Sequence, residues 1–265
     1  MTLDVVEPPR LSSAAMDAAV WKEAHVVDAF ADARAARVPG TRMQIEALLH
    51  VLASLPAPPR RILDVGAGDG LLLATALAAF PASTGVAVDF SPPMLERARA
   101  WLEASGGRAA VVEADLVSPA WRAGVDGPFD AVISGFAIHH LPDDRKRALY
   151  GEIHELLVPG GVFLNLEHVA SATPRVEAIA DEAMVVHQHA QRRAAGEAVT
   201  LDAVRREYRE RPDRVANILA PLDVQCGWLR EVGFVDVDCF WKLFELALFG
   251  GFRRAGDQRE SVRTR

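Results

Sequence analysis

The chain has 265 residues and a formal net charge of −7; half of its residues are hydrophobic and a quarter are charged. That composition excludes a disordered chain and supplies a full core without metal or disulfide staples. The acidic balance argues against a protein whose main task is coating nucleic acid, and the longest apolar stretch, residues 71–80, falls far short of the roughly 20 residues that span a bilayer.

Residues 1–55 read as alanine-rich helices, with Ser12 and Ser13 as N-cap candidates and a break at Val38-Pro39-Gly40. Met43, Ile45, Leu48, Leu49 and Leu52 form a helical apolar stripe, and the proline-rich run 55–59 is a stiff linker. From 60 to 169 short apolar runs alternate with helical stretches. Strands are predicted at 61–65, 85–89, 109–112, 129–134 and 161–166. Helices are predicted at 71–80, from Pro92 or Pro93 through Leu102, and from Asp143 or Asp144 to about 157. This alternation predicts a parallel sheet with helices on both faces. Residues 170–221 interrupt it: eight arginines and eight acidic residues fall between Arg175 and Arg214, with no strand pattern, so two inserted helices are expected. A helix over about 223–232 ends at Gly233, a C-terminal cap. Strands at 234–240 and 243–249 and a solvated, arginine-rich tail at 253–265 complete the chain. The expected architecture is one α/β domain with a seven-stranded, mostly parallel sheet.

The N-terminus carries Asp4 and Glu7 and lacks a basic start followed by an apolar run, so no secretory signal is expected. Cys226 and Cys239 fit no zinc spacing, no metal is expected, and a reduced cytoplasmic setting follows.

The sharpest local signal is Leu63-Asp64-Val65-Gly66-Ala67-Gly68-Asp69-Gly70-Leu71, between a predicted strand and a predicted helix. Its glycines permit positive φ and close approach of a ligand to the backbone. Asp64 lies inside the strand, where a carboxylate can accept from an ammonium group. Asp89 lies 19 residues past Gly70, at the end of the second strand, where a carboxylate grips the ribose hydroxyls of a nucleoside. With no lysine in the turn, a P-loop is excluded.

This arrangement resembles the class I S-adenosylmethionine-dependent methyltransferases over about residues 60–169 and 222–250. The resemblance rests on the glycine motif, on Val86-Ala87-Val88-Asp89-Phe90-Ser91, on Glu113-Ala114-Asp115-Leu116, on Phe129-Asp130-Ala131-Val132-Ile133-Ser134 and on Leu156-Leu157-Val158-Pro159-Gly160-Gly161. It implies a Rossmann-like sheet with an antiparallel seventh strand between the fifth and sixth. The cofactor implied is S-adenosyl-L-methionine, the product S-adenosyl-L-homocysteine. Asp64, Gly66, Ala67, Gly68, Asp69 and Gly70 would hold the methionine end and Asp89 the ribose. Phe90 and Met94 would pack on the adenine, Ala114, Asp115 and Leu116 would meet its edge, and Ser134, Gly135, Phe136 and His139 would face the sulfonium.

The methyl acceptor must be read from the less regular segments. His139 and His140, in Gly135-Phe136-Ala137-Ile138-His139-His140-Leu141-Pro142, are base candidates, as is His168 after strand five; the alternative is that they only support the loop. Phe30, Val38, Arg42, Phe136, Glu167, His168, His187 and Arg214 are expected on the acceptor wall. Added helices at 1–55 and 170–221 are expected to close over the cleft as a lid. That enclosure suggests a small-molecule acceptor, with no membrane, no nucleic acid and a homodimer as one option. The ends of the chain, Val38-Pro39-Gly40 with Asp238-Cys239-Phe240-Trp241 and Phe244 to Gly251, resemble carboxy-S-adenosylmethionine synthase of tRNA wobble-uridine modification. In that reading Arg211 or Arg214 would be the functional arginine. Trp241, Phe244 and Phe249 are expected in the core. A tRNA, rRNA or protein methyltransferase and a non-catalytic cofactor-binding protein are the remaining alternatives.

Overall fold

A computed structural model describes residues 38–211 and 216–256. The elements run α1 (Thr41–Ala53), β1 (Arg61–Val65), α2 (Leu71–Ala79), β2 (Thr84–Asp89), α3 (Pro92–Glu103), β3 (Ala109–Glu113), β4 (Phe129–Gly135), α4 (Asp143–Leu156), β5 (Leu157–His168), α5 (Pro174–Ala194), α6 (Leu201–Glu210), α7 (Leu222–Glu231), β6 (Phe234–Leu243) and β7 (Leu246–Arg253). The seven strands lie in the order β3-β2-β1-β4-β5-β7-β6. β7 runs antiparallel to both β5 and β6, and the other neighbours are parallel.

Both faces of the central strands are buried, which is why they read as continuous apolar runs. Ile62, Ile133 and Leu164 face a layer built from Ile45, Leu48 and Leu52 of α1, Leu72 and Leu77 of α2 and Ala98 of α3. Leu63, Val132 and Phe163 face the opposite layer, with Tyr150 and Ile153 of α4 and Leu229 of α7. The inserted helices α5 and α6 pack on each other through Val185, Val204 and Tyr208. The chain returns from them along the start of this second layer, where Ala170 N–H donates to Ala220 O at 3.0 Å.

Three sequence expectations are corrected at the edge of the sheet. β5 begins at Leu157, directly after α4, rather than at 161. β6 runs on to Leu243, and β7 starts at Leu246 rather than 243. Phe244 and Glu245 form the two-residue turn of the β6–β7 hairpin, with Phe244 at φ 51°. Hairpin turns with positive φ favour Gly or Asn, and neither is present, so the pattern carried no turn signal. Phe244 is accordingly exposed, while Phe249 is fully buried as expected. Trp241 is half-buried, and a Cβ on Gly40 (φ 71°) would stand 2.8 Å from its ring. The break at 38–40 therefore lies against the strand that carries the second terminal motif.

Candidate active site

The carboxyl ends of β1, β2, β3, β4 and β5 meet at one edge of the sheet, where the order reverses between β1 and β4. This is the crevice in which open α/β sheets hold ligands. A cavity of about 1220 Å³ opens there.

One end of the cavity is built by the glycine turn. Gly66, Ala67, Gly68 and Asp69 line it. The turn is tied to the next strand by Asp89: its Oδ2 accepts from Gly68 N–H at 2.8 Å and its Oδ1 from Ser91 N–H at 2.9 Å. Each oxygen keeps a second lone pair for a ligand hydroxyl. The three glycines differ. A Cβ on Gly66 would meet the Ala137 methyl at 2.2 Å, and one on Gly70 would meet that of Ala98 at 2.9 Å, whereas one on Gly68 would meet nothing within 4 Å. Gly66 and Gly70 are needed for packing within the chain. Gly68 leaves open space at the turn, the kind of cradle an adenosine nucleotide's methionine or phosphate end requires. Phe90 and Met94 stand exposed on the same wall, with Asp115 and Leu116 beyond them. The Asp115 Oδ1 accepts from Val117 N–H at 2.9 Å. Exposed apolar side chains flanking a carboxylate-tied glycine turn fit a nucleoside.

Several of the expected site residues do not line the cavity. Asp64 is fully buried in β1 and does not line the cavity. Gly70 is turned onto α3. Ser134 is fully buried, donating its hydroxyl to Val65 O at 2.7 Å. Ala114 also stays off the wall. On the acceptor side Arg42 is exposed and pairs with Glu46 at 3.2 Å. His187 is one residue away from the α5 face that lines the cavity, which is Ala180, Ala183, Met184 and Gln188. Phe30 and Arg214 lie outside the described residues. Gly135, Phe136, Val38, His139, His140 and His168 do line it. Phe136 takes φ 55° immediately after β4. Both non-glycine aromatics with positive φ, Phe136 and Phe244, therefore face the cavity, where such strain concentrates.

Glu167, expected to touch the acceptor, is fully buried behind that wall. Its Oε2 accepts from His139 N–H at 2.9 Å, and its Oε1 accepts from His168 N–H at 2.8 Å and lies 2.5 Å from His139 Nδ1. His168 Nε2 meets Glu245 Oε2 at 3.0 Å, and His140 Nδ1 meets Ala216 O at 3.1 Å. The His139 and His168 rings are edge to face at 6.0 Å. Sequence reasoning missed Glu245, Met184 and Gln188. From the insertion come Tyr208, whose hydroxyl burial pushes up to about 12, and Arg211, whose guanidinium stacks 3.9 Å above the Tyr208 ring. Among the described residues no group of three or more His, Cys, Asp or Glu side chains is placed to hold a metal ion, and no helix is long and apolar enough to cross a membrane.

A family model described as a methyltransferase domain matches residues 62–161. This span contains the glycine turn, Asp89, Asp115 and the segment after β4. Within that span the chain resembles the class I S-adenosylmethionine-dependent methyltransferases. Demethylmenaquinone methyltransferase of Thermus thermophilus is 37% identical over 114 residues, 43% of this chain and 50% of that protein. Carboxy-S-adenosyl-L-methionine synthase of Chromohalobacter salexigens is 27% identical over 200 residues, 73% of this chain and 68% of the other. The match to the first of these thus spans about half of that protein's length. An O-methyltransferase family protein from Burkholderia thailandensis shares the fold, with a TM-score of 0.58 at 23% identity over 90% of this chain and 62% of that one. The cofactor of the proteins this chain resembles is S-adenosylmethionine, and the strand order, with β7 inserted antiparallel between β5 and β6, is the one the resemblance implies.

Proposed function

We propose that the protein transfers a methyl group from S-adenosylmethionine to a small molecule held between the β4–β5 loops and the α5–α6 pair. The observation that carries this reading is the cavity itself. At about 1220 Å³ it exceeds the roughly 300–1,000 Å³ of a pocket for one ligand, and its lining runs from the glycine turn to Met184, Gln188 and Tyr208. That is room for a nucleoside and an acceptor end to end. When bound, S-adenosylmethionine supplies a methyl group already activated on a sulfonium. The protein's own tasks are then to position the acceptor, exclude water and take up any proton.

In this reading Asp89 binds the ribose hydroxyls, Phe90 and Met94 pack on the adenine, Asp115 accepts from its amino group, and the 66–68 backbone meets the methionine end. Asp89→Ala removes the ribose anchor, a charge-assisted pair worth about 2–3 kcal/mol, so affinity for S-adenosyl-L-homocysteine should fall roughly 30- to 150-fold. Calorimetry on wild type and variant checks this. Equal affinities, or no binding by the wild type, would remove the basis of the proposal.

A second reading is favoured by one observation. Arg211 reaches the acceptor end of the cavity, and the match to carboxy-S-adenosyl-L-methionine synthase covers more of the chain than the match to the Thermus methyltransferase. An arginine there would bind a carboxylate. Mass spectrometry of the nucleoside that co-purifies with the protein separates the two, since a carboxylated cofactor is heavier than S-adenosylmethionine.

A further inference from the structure

We propose that Glu167 is a positioning residue that fixes His139 as the proton acceptor of the site, and that the group methylated is therefore a hydroxyl, phenolic or enolic, on a largely apolar acceptor. This rests on the methyltransferase reading above and adds to it the chemistry of the second substrate.

Glu167 is a carboxylate with no exposed surface, at the last turn of β5 before the cavity. Burying a charge there costs several kcal/mol unless its oxygens are satisfied. All three of its contacts go to two residues, the backbone N–H groups of His139 and His168 and the His139 ring. Two of them hold His139, one by its main chain and one by its imidazole. The carboxylate thus sets both the place of the ring and its tautomer. A carboxylate can only accept, so Nδ1 carries the hydrogen and Nε2 keeps a lone pair. His139 lines the cavity, and with Nδ1 committed, Nε2 is the nitrogen left to meet a ligand. The neighbouring imidazoles are differently engaged. His168 is held at its outer nitrogen by Glu245, and His140 is held at Nδ1 by the Ala216 carbonyl, which is neutral and stabilises an imidazolium less than a carboxylate does.

A base held this way matters for some nucleophiles and not for others. A neutral amine already presents an electron pair, and a thiol, with an ordinary pKa near 8.5, supplies a few per cent of a highly nucleophilic thiolate on its own at pH 7. A phenol, near 10, keeps its proton and attacks poorly until a base removes it. In the transfer the oxygen–carbon bond forms from the hydroxyl's electron pair, and the carbon–sulfur bond breaks with its pair passing to sulfur. The hydroxyl proton moves to Nε2, leaving S-adenosyl-L-homocysteine and an imidazolium beside Glu167. The same cavity is lined by Phe136, Leu141, Met184, Phe244 and Leu246, with Gln188, Tyr208 and Arg211 among them, a largely apolar wall that accommodates a ring system carrying a polar group.

The test uses the whole 265-residue chain. Nitrogen-15 spectra of the histidine rings in the unliganded wild type should show neutral His139 as the Nδ1–H tautomer, and Glu167→Gln should lose that preference; a wild-type His139 protonated at Nε2 overturns the positioning role without any ligand. With methyl-labelled S-adenosylmethionine and a panel of phenols, enols, anilines and thiophenols as probes, the wild type should label oxygen. His139→Ala should lower kcat about 10²- to 10⁴-fold and Glu167→Gln at least tenfold, with S-adenosyl-L-homocysteine affinity within twofold of wild type. Undiminished rates in both variants, or labelling confined to nitrogen, sulfur or carbon, overturn the inference. So does the absence of any O-methylation by a wild type that binds S-adenosyl-L-homocysteine; absence of that binding overturns the reading beneath it.

Discussion

Gly66 and Gly68 share a turn and a left-handed backbone, at φ 70° and 55°, yet they should respond differently to the same methyl group. Gly68→Ala meets only backbone strain, about 1–2 kcal/mol, because nothing lies within 4 Å of the added carbon. Gly66→Ala adds the collision with Ala137 at 2.2 Å, so the loop after β4 must move, and the total rises to about 3–5 kcal/mol. Urea unfolding of the two variants should rank them in that order. Equal losses would mean that the turn and the loop do not touch as described. Cys226 offers a second check at this scale. Burial pushes its thiol up to about 11 and raises Cys239 as well. At pH 8 the thiolate of Cys226 is then on the order of 10²-fold scarcer than that of an ordinary cysteine. Alkylation of the native protein at that position should be slower by about the same factor, and urea should restore the ordinary rate.

At the scale of elements, the acceptor wall depends on which side of α5 faces inward. Ala180, Ala183, Met184 and Gln188 form that side, a stripe at helical spacing, while His187 stands about 100° around the axis from Gln188. Met184→Trp should fill acceptor space and raise the acceptor KM at least tenfold while S-adenosyl-L-homocysteine affinity stays within twofold; a fall in both would place α5 over the cofactor instead. The same element shows where sequence reasoning succeeded and where it stopped. The first four strands and the residues 66–69, 89 and 115 sit in local motifs, legible because strand, turn and helix follow one another in the chain, whereas the strand order came from the resemblance. His187 was singled out by chemistry alone, and chemistry does not fix which face of a helix turns inward. Glu167 carried a usable signal. Phe163, Asn165 and Glu167 alternate along β5, so the carboxylate shares the face of a core phenylalanine, and all three are fully buried. The Phe244–Glu245 turn had none, because its residues lack the usual turn chemistry and only the pairing of Leu243 with Leu246 defines it.

For the whole molecule the cavity lies where the first five strands end and is lined on one side by an insertion, α5–α6, whose helices pack on each other. A ligand there touches the glycine turn, the loops after β2, β3 and β4, and the inserted pair at once. It should therefore stabilise the fold as a unit rather than one edge of it. Binding to the folded state alone contributes about 2.7 kcal/mol when ligand is present at 100 times its Kd. For a chain of this size each kcal/mol moves Tm by roughly 2–4 °C, so saturating S-adenosyl-L-homocysteine should raise Tm by about 5–10 °C. NAD at the same concentration should leave it unchanged, because Arg211 at the acceptor end is stacked on Tyr208 and, among the described residues, no second glycine turn lines the cavity for another nucleotide phosphate. A cofactor shift that Asp89→Ala abolishes, with no shift from NAD, fits the cavity as described. A larger shift from NAD than from S-adenosyl-L-homocysteine would assign the same crevice to a different nucleotide and, with it, a different chemistry to His139.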